Sequence, residues 1–312
     1  MINTEQFADY KKRILSACGQ VIVGKDEMIE KVLTAYLCGG HVLLEDLPGT
    51  GKTMLLRAFS AAVGGEFRRI QFTPDLLPSD LTGIHFYNQK TGEFEFRCGP
   101  LFGNVILADE INRATPRTQS SLLEVMEEHQ ITVDGRTFLM DPPFFVMATQ
   151  NPLESQGTFP LPEAQIDRFF MRLSLGYMTR AQEIGVLMRR PTTEILKDLT
   201  QVVSWEETQE LAEMSRQVEV TPAVVGYLMD IIELTRKNPQ TGVSTRGAQA
   251  LYRASQVWAA LSGRSYVIPE DVKAMAIPVL AHRVGGGIGR REEEERYVSR
   301  LLEEVKVPID RG

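Results

Sequence analysis

The segment HVLLEDLPGTGKTMLLRAF, residues 41–59, constrains the fold more than any other part of the chain. An apolar run enters a Gly-Thr-Gly-Lys-Thr turn and leaves it in a helical pattern, the context that a phosphate-binding loop requires. Gly49 and Gly51 let the backbone curl so that successive N–H groups face one point, and the following helix adds the positive end of its dipole. Lys52 supplies a cation and Thr53 a hydroxyl for Mg²⁺. The expected triphosphate site is therefore Pro48, Gly49, Thr50, Gly51, Lys52, Thr53 and Met54. One position departs from the strict pattern GxxxxGK[ST]: Asp46 stands where the first glycine belongs. A carboxylate there repels phosphate unless its side chain turns away.

Around this loop, residues 1–180 alternate short β-rich runs with helical patterns, the arrangement of an α/β domain with a mainly parallel sheet. The strand candidates are 41–45, 66–72, 104–109, 144–149 and 169–175, and the continuous apolar runs among them belong at the centre of the sheet. Two further pairs read as inserted hairpins. HFYN (85–88) pairs with EFEFR (93–97), and QITV (130–133) pairs with RTFLM (136–140) across Asp134-Gly135, a type I′ turn signal.

Beyond residue 180 the strand signal fades. A linker with an insert helix over 181–204 leads to an all-α domain over 205–312, with helices expected at 205–217, 222–237, 246–262, 269–282 and 291–305. Capping-box spacing at Thr179/Gln182 and Ser204/Glu207, and Thr221 before Pro222, mark helix starts. Gly285-Gly286-Gly287 reads as a flexible break, and the charged run 290–296 as a solvated helix face.

The chain's 312 residues suit two domains, and 34 basic against 41 acidic residues give a net charge of −7. No global basic surface draws it onto nucleic acid or anionic lipid. The N-terminus lacks a signal-peptide pattern, no apolar stretch is long enough to span a membrane, and a cytoplasmic location is expected. Cys18, Cys38 and Cys98 lack CxxC spacing and read as buried thiols in a reducing compartment. The histidines at 41, 85, 129 and 282 form no paired-ligand pattern, so no zinc centre is expected and each reads as an ordinary core or surface residue.

A second motif completes the chemistry. NVILADE places Asp109 and Glu110 at the end of an apolar run, and in open α/β sheets ligands lie at the carboxyl ends of strands. Asp109 can hold the Mg²⁺ water shell while Glu110 polarises the attacking water. FFVMATQNP supplies another strand ending in polar residues, where Asn151 either orients that water or serves as a turn residue before Pro152.

EDLPGTGKT, LADEINRATPRTQSSLLEVMEE, MATQNP and GTFPLPEAQIDRF, in this order and spacing, resemble the MoxR family of AAA+ ATPases over residues 10–290. The resemblance implies an AAA+ P-loop NTPase core, a parallel sheet flanked by helices with β-hairpin insertions, followed by an all-α lid. It also implies acceptance of an acidic residue at Asp46, and a homo-oligomeric ring, most often a hexamer, with ATP and Mg²⁺ bound between subunits. Arg168 matches the arginine finger directed at the neighbouring subunit's γ-phosphate. Arg246 matches the sensor 2 arginine, with Thr245 where the family usually has proline, and which subunit's nucleotide it meets stays open. Val23 and Gly24 match the segment lining the adenine site, with core packing as the alternative for Val23.

The aromatic residues of the first hairpin, Phe86, Tyr87, Phe94 and Phe96, either grip a client or pack on their own domain. Arg113 and Arg117 either face the next subunit or begin a solvated helix. The implied function is ATP-driven, chaperone-like remodelling or maturation of protein complexes, with von Willebrand factor A domain proteins as clients. The alternatives are a nucleic-acid-stimulated motor, disfavoured by the charge and the lack of a recognition motif, and a chelatase-like or gas-vesicle-like subunit.

Overall fold

The computed structural model describes residues 3–46, 49–150, 157–285 and 291–308. Helices α1 (Thr4–Val21) and α2 (Asp26–Leu37) precede strand β1 (Val42–Glu45), and the phosphate-loop turn leads into α3 (Lys52–Val63). There follow β2 (Phe67–Gln71), α4 (Pro78–Thr82), the hairpin β3 (Gly83–Asn88) and β4 (Glu93–Cys98), β5 (Val105–Asp109) and α5 (Pro116–Glu128). The second hairpin, β6 (Gln130–Val133) and β7 (Arg136–Leu139), precedes β8 (Phe145–Gln150), α6 (Glu163–Ile166) and β9 (Met171–Leu173). The rest of the described chain is helical: α7 (Arg180–Met188), α8 (Thr192–Asp198), α9 (Trp205–Ser215), α10 (Pro222–Arg236), α11 (Thr245–Leu261), α12 (Pro269–Leu280) and α13 (Arg291–Glu304).

The five expected strands form one parallel sheet in the order β2-β5-β8-β1-β9. Side chains alternate across it, as the period of two requires. Val42 and Leu44, Val105 and Leu107, and Phe145 and Met147 enter a core shared with α1, α2, α3 and the C-terminal helices. Leu43, Ile106, Ala108, Val146 and Ala148 enter a second core on the opposite face, with α5 and the second hairpin. Burial on both faces explains why these strands read as unbroken apolar runs, whereas β2, at the sheet edge, exposes Arg68 and Arg69.

Helix starts follow their caps. Thr179 accepts a hydrogen bond from Gln182 N–H while the Gln182 side chain accepts from Thr179 N–H, and Ser204, Thr221 and Ser244 cap α9, α10 and α11. His41 is fixed by its surroundings: Val146 N–H donates to Nδ1 and Nε2–H donates to Met126 O. Burial pushes its pKa down to about 4, so it is a neutral core residue.

Two readings need correction. Cys98 is exposed, not buried, because it ends the edge of the first hairpin. The charged run at the start of α13 is not wholly solvated: Glu294 is buried against Arg172, which also pairs with Glu45 at 3.5 Å, and Arg291 donates to Glu45 O. Burial pushes the Glu294 carboxyl up and Arg172 opposes that shift. The periodicity of α13 alone cannot show that one of its carboxylates meets an arginine from β9. Gly286 and Gly287 lie outside the described residues.

The hairpins form where expected, with Asp134 and Gly135 both at positive φ. They pack on each other. Phe96 stacks on Phe138 at 5.0 Å, Phe102 meets both rings edge-on, and His85 Nδ1 lies 2.8 Å from the Asp134 carboxylate. Thus the base of the first hairpin packs on its own domain. Its outer pair, Tyr87 and Phe94, is 54% and 74% exposed.

Candidate active site

The phosphate loop is shaped by its glycines. Gly49 and Gly51 adopt φ of 82° and 94°, and a Cβ at Gly49 would meet nothing within 4 Å, so backbone conformation rather than crowding selects glycine. Gly51 caps α3, whose first turn carries Lys52 and Thr53, so the helix N-terminus opens onto the loop. Lys52 Nζ donates to Asp46 O at 2.9 Å. Met54 packs its side chain on the core. Pro48 lies outside the described residues.

Asp46 turns away from the loop. Its carboxylate accepts from Ser174 Oγ at 2.6 Å, Leu175 N–H at 2.7 Å and Gly176 N–H at 3.1 Å, pinning the end of β1 to the chain leaving β9. The apparent departure from the strict loop pattern is therefore a structural tie. Asp46→Gly, which restores the pattern's glycine, is expected to lower the melting temperature by several degrees. It orphans the buried Leu175 amide, at a cost of about 1–3 kcal/mol. Thermal melts of both proteins with and without nucleotide check this; an unchanged melting temperature contradicts it.

Asp109 ends β5, and Glu110 follows at a φ of 56°. Thr149, buried near the end of β8, links them by donating to Asp109 Oδ1 at 2.7 Å and accepting from Glu110 N–H at 2.8 Å. From β2, paired with β5 so that Gln71 lies opposite Asp109, two side chains reach the same place. Arg69 donates to Asp109 Oδ2 at 2.7 Å and to Gln71 Oε1 at 2.9 Å, and Gln71 Nε2 donates to Glu110 Oε2 at 2.7 Å. Arg113 lies 3.4 Å from the same Glu110 oxygen. The two carboxylates thus have different partners. Arg69, Gln71 and Thr149 escaped the sequence reading; the Thr of MATQNP was the available signal for one, while edge-strand polarity disguised the others.

Asp109 and the Thr53 hydroxyl are hard oxygen donors. Oxygen donors of this kind suit Mg²⁺, which takes one or two carboxylates from the protein and completes its shell with water and phosphate. Asn151 lies outside the described residues. Gln150 beside it donates to the Glu45 carboxylate, tying β8 to β1.

A cleft of about 350 Å³ adjoins the loop, lined by Gly49, Thr50, Tyr177, Met178, Val186 and Leu187 among others. Near it, Gln182 Nε2 donates to Gly24 O at 3.3 Å and Arg189 donates to Gln20 O and Val21 O, fastening the Val23-Gly24 segment to α7. Val23 is half-buried and belongs to neither core, so core packing does not explain it.

The remaining two candidates meet at one residue. Arg168 Nε lies 3.1 Å from Glu127 Oε2, and Arg246 Nη2 pairs with Glu127 Oε1. Among the described residues, the ion pairs of both arginines are with Glu127 of α5 and not with the phosphate loop. Arg117 is exposed at the start of α5.

A parallel sheet of this order, a glycine-shaped loop after its first strand, paired carboxylates after β5 and a helical lid define an AAA-type ATPase. Residues 41–171 match the ATPase family associated with various cellular activities, and residues 233–305 match the AAA lid domain. The chain is 47% identical to uncharacterized protein YeaC of Bacillus subtilis, over 94% of this chain and 93% of that one. It is 39% identical to chaperone MoxR1 of Mycobacterium tuberculosis (95% and 82%) and 33% identical to protein MoxR of Paracoccus denitrificans (92% of each). A crystal structure from Cytophaga hutchinsonii, assigned as an ATPase, superposes with a TM-score of 0.87 at 36% identity over 98% of both chains. An MCM homolog from Methanopyrus kandleri, at 17% identity and a TM-score of 0.57 over 90% of this chain and 61% of that one, shares the fold alone. The chain belongs to the MoxR family of AAA+ ATPases.

Proposed function

We propose that this ATPase assembles as a ring, hydrolyses ATP with Mg²⁺ between adjacent subunits, and uses the resulting motion to remodel a protein client. In this reading the backbone N–H groups of residues 49–54 and Lys52 hold the phosphates, and Val23, Gly24 and the cleft at Tyr177 receive the base. Thr53 and Asp109 hold the metal, which supplies charge neutralisation at the phosphates when bound. Glu110, with its carboxylate directed by Gln71, takes the proton of the attacking water, and Asn151 orients that water. Arg168 and Arg246 reach the nucleotide of the neighbouring subunit. Their shared engagement with Glu127 supports a common destination, because two cations held on one carboxylate present a single charged patch. No helix among the described residues is long and apolar enough to cross a membrane, and the cytoplasm is the proposed location.

The observation that carries the client reading is the exposed Tyr87–Phe94 pair on a hairpin otherwise locked to its domain through Phe96 and Phe138. An apolar tip on a rigid base is suited to pressing on a polypeptide, and a relative at 39% identity is named a chaperone. We take the client to be a von Willebrand factor A domain protein.

The test is affinity capture from native extract with Glu110→Gln and ATP, which should hold client in the ATP state. Recovery of a von Willebrand factor A domain protein, absent with Lys52→Ala, is the expected result. Recovery of nuclease-sensitive nucleic acid instead would favour the motor alternative and overturn this reading.

A further inference from the structure

Glu127 occupies a position that helix energetics do not favour. A carboxylate in the last turn faces the negative end of the helix dipole, and α5 carries Glu127 and Glu128 there with no basic residue in that turn. Compensation comes from elsewhere in the chain: one carboxylate oxygen takes Arg168, from the segment between α6 and β9, and the other takes Arg246, from the first turn of α11. All three side chains are partly exposed, at 32% to 50%, and such surface pairs add little to fold stability. A stabilising role does not account for the arrangement.

A second link fixes the backbones that carry the arginines. Arg283, buried at the end of the lid's α12 region, pairs with Asp167 Oδ1 at 2.8 Å and donates to the carbonyl oxygens of Asp167, Phe169 and Phe170. Ser244, the cap of α11, donates to the same Asp167 carboxylate at 3.3 Å. The chain on either side of Arg168 is therefore tied to the lid and to the start of α11. Side-chain direction is what remains, and Glu127 supplies it for both arginines.

We infer that Glu127 is a positioning residue that holds Arg168 and Arg246 as one preorganised pair for the neighbouring subunit's nucleotide. Each guanidinium has five N–H donors, so each can engage a phosphate oxygen without first releasing Glu127. Without the carboxylate, two neighbouring cations repel and splay toward solvent, and the geometry needed in the transition state is sampled less often. The inference rests on the finger reading of Arg168 given above.

The experiment compares ATP turnover, KM and binding of a fluorescent ADP analogue for the full chain, Glu127→Gln, Glu127→Asp, Arg168→Ala and the Glu127→Gln/Arg168→Ala double variant, with ring assembly followed by sedimentation. Glu127→Gln is expected to lower kcat by about 10–100-fold while KM, analogue affinity and assembly stay within about twofold. Glu127→Asp, which keeps the charge, restores most of the lost turnover. The double variant loses less than the product of the two single losses, because the part of the Glu127 effect that runs through Arg168 is already gone and only the part through Arg246 remains.

Wild-type turnover in Glu127→Gln, or losses that multiply in the double variant, would overturn the inference. An Arg168→Ala protein with full activity would instead bring down the finger reading, and this inference with it. Loss of activity in Arg168→Ala but not in Glu127→Gln sinks the inference alone.

Discussion

Replacing Arg168 by alanine is expected to lower the ATPase rate per subunit by ~10³–10⁵, about 4–7 kcal/mol of transition-state stabilisation. No partly exposed ion pair supplies an effect of that size, so the measurement separates a finger from the surface contact with Glu127. The dependence on concentration carries further information. Activity per subunit in the unaltered protein should rise with protein concentration until the ring is saturated, whereas Arg168→Ala should stay low throughout. Nucleotide affinity, set by the variant's own loop at Gly49–Thr53, should change little. Full, concentration-independent activity in Arg168→Ala removes the residue from the chemistry.

Glu110→Gln is expected to show the second-largest effect, a kcat lower by ~10²–10⁴ with nucleotide still bound. The amide keeps the shape of the side chain and can still accept a hydrogen bond from Gln71 Nε2, so the local structure has no reason to collapse. It cannot take a proton. Its neighbour provides the contrast: Asp109 is engaged by Arg69 and Thr149 and not by Gln71, consistent with a different duty for each carboxylate. Single-turnover kinetics with equilibrium nucleotide binding checks this; loss of binding in parallel with turnover would place Glu110 in ground-state recognition.

The sheet was legible because its central strands are buried on both faces. VLLE, VILAD and FVMATQ carry no polar residue until their last one or two positions, and those positions carry the candidate site residues or adjoin them. The hairpin turn at Asp134-Gly135 was legible because only a few residue types accept two successive positive φ values. The phosphate loop was legible for the same reason at Gly49 and Gly51. What sequence could not show depends on long-range meetings. Asp46 looks like a defect in the loop until residues 174–176, some 130 positions later, supply its hydroxyl and two amide donors. Gln71 and Thr149 are about 40 residues from Glu110 and reach it only through the register of β2, β5 and β8. Glu127, within a run of acidic residues on an amphipathic helix, gives no local sign that two arginines from later elements converge on it. Local periodicity records which face is buried; it does not record which buried or half-buried partner arrives from elsewhere.

The proposal that ATP is hydrolysed between subunits meets its most direct test in mixing. Lys52→Ala cannot use its own loop but still presents Arg168, and Arg168→Ala keeps its loop but presents no finger, so each is expected to be nearly inactive alone. Equal amounts of the two, mixed under conditions that allow subunit exchange, should recover activity. For random assembly in a closed ring, about one quarter of the interfaces pair an intact loop with an intact finger, and turnover should approach that fraction of the unaltered protein's. A mixture no more active than its two components, with exchange verified by sedimentation of labelled subunits, would contradict catalysis across the interface.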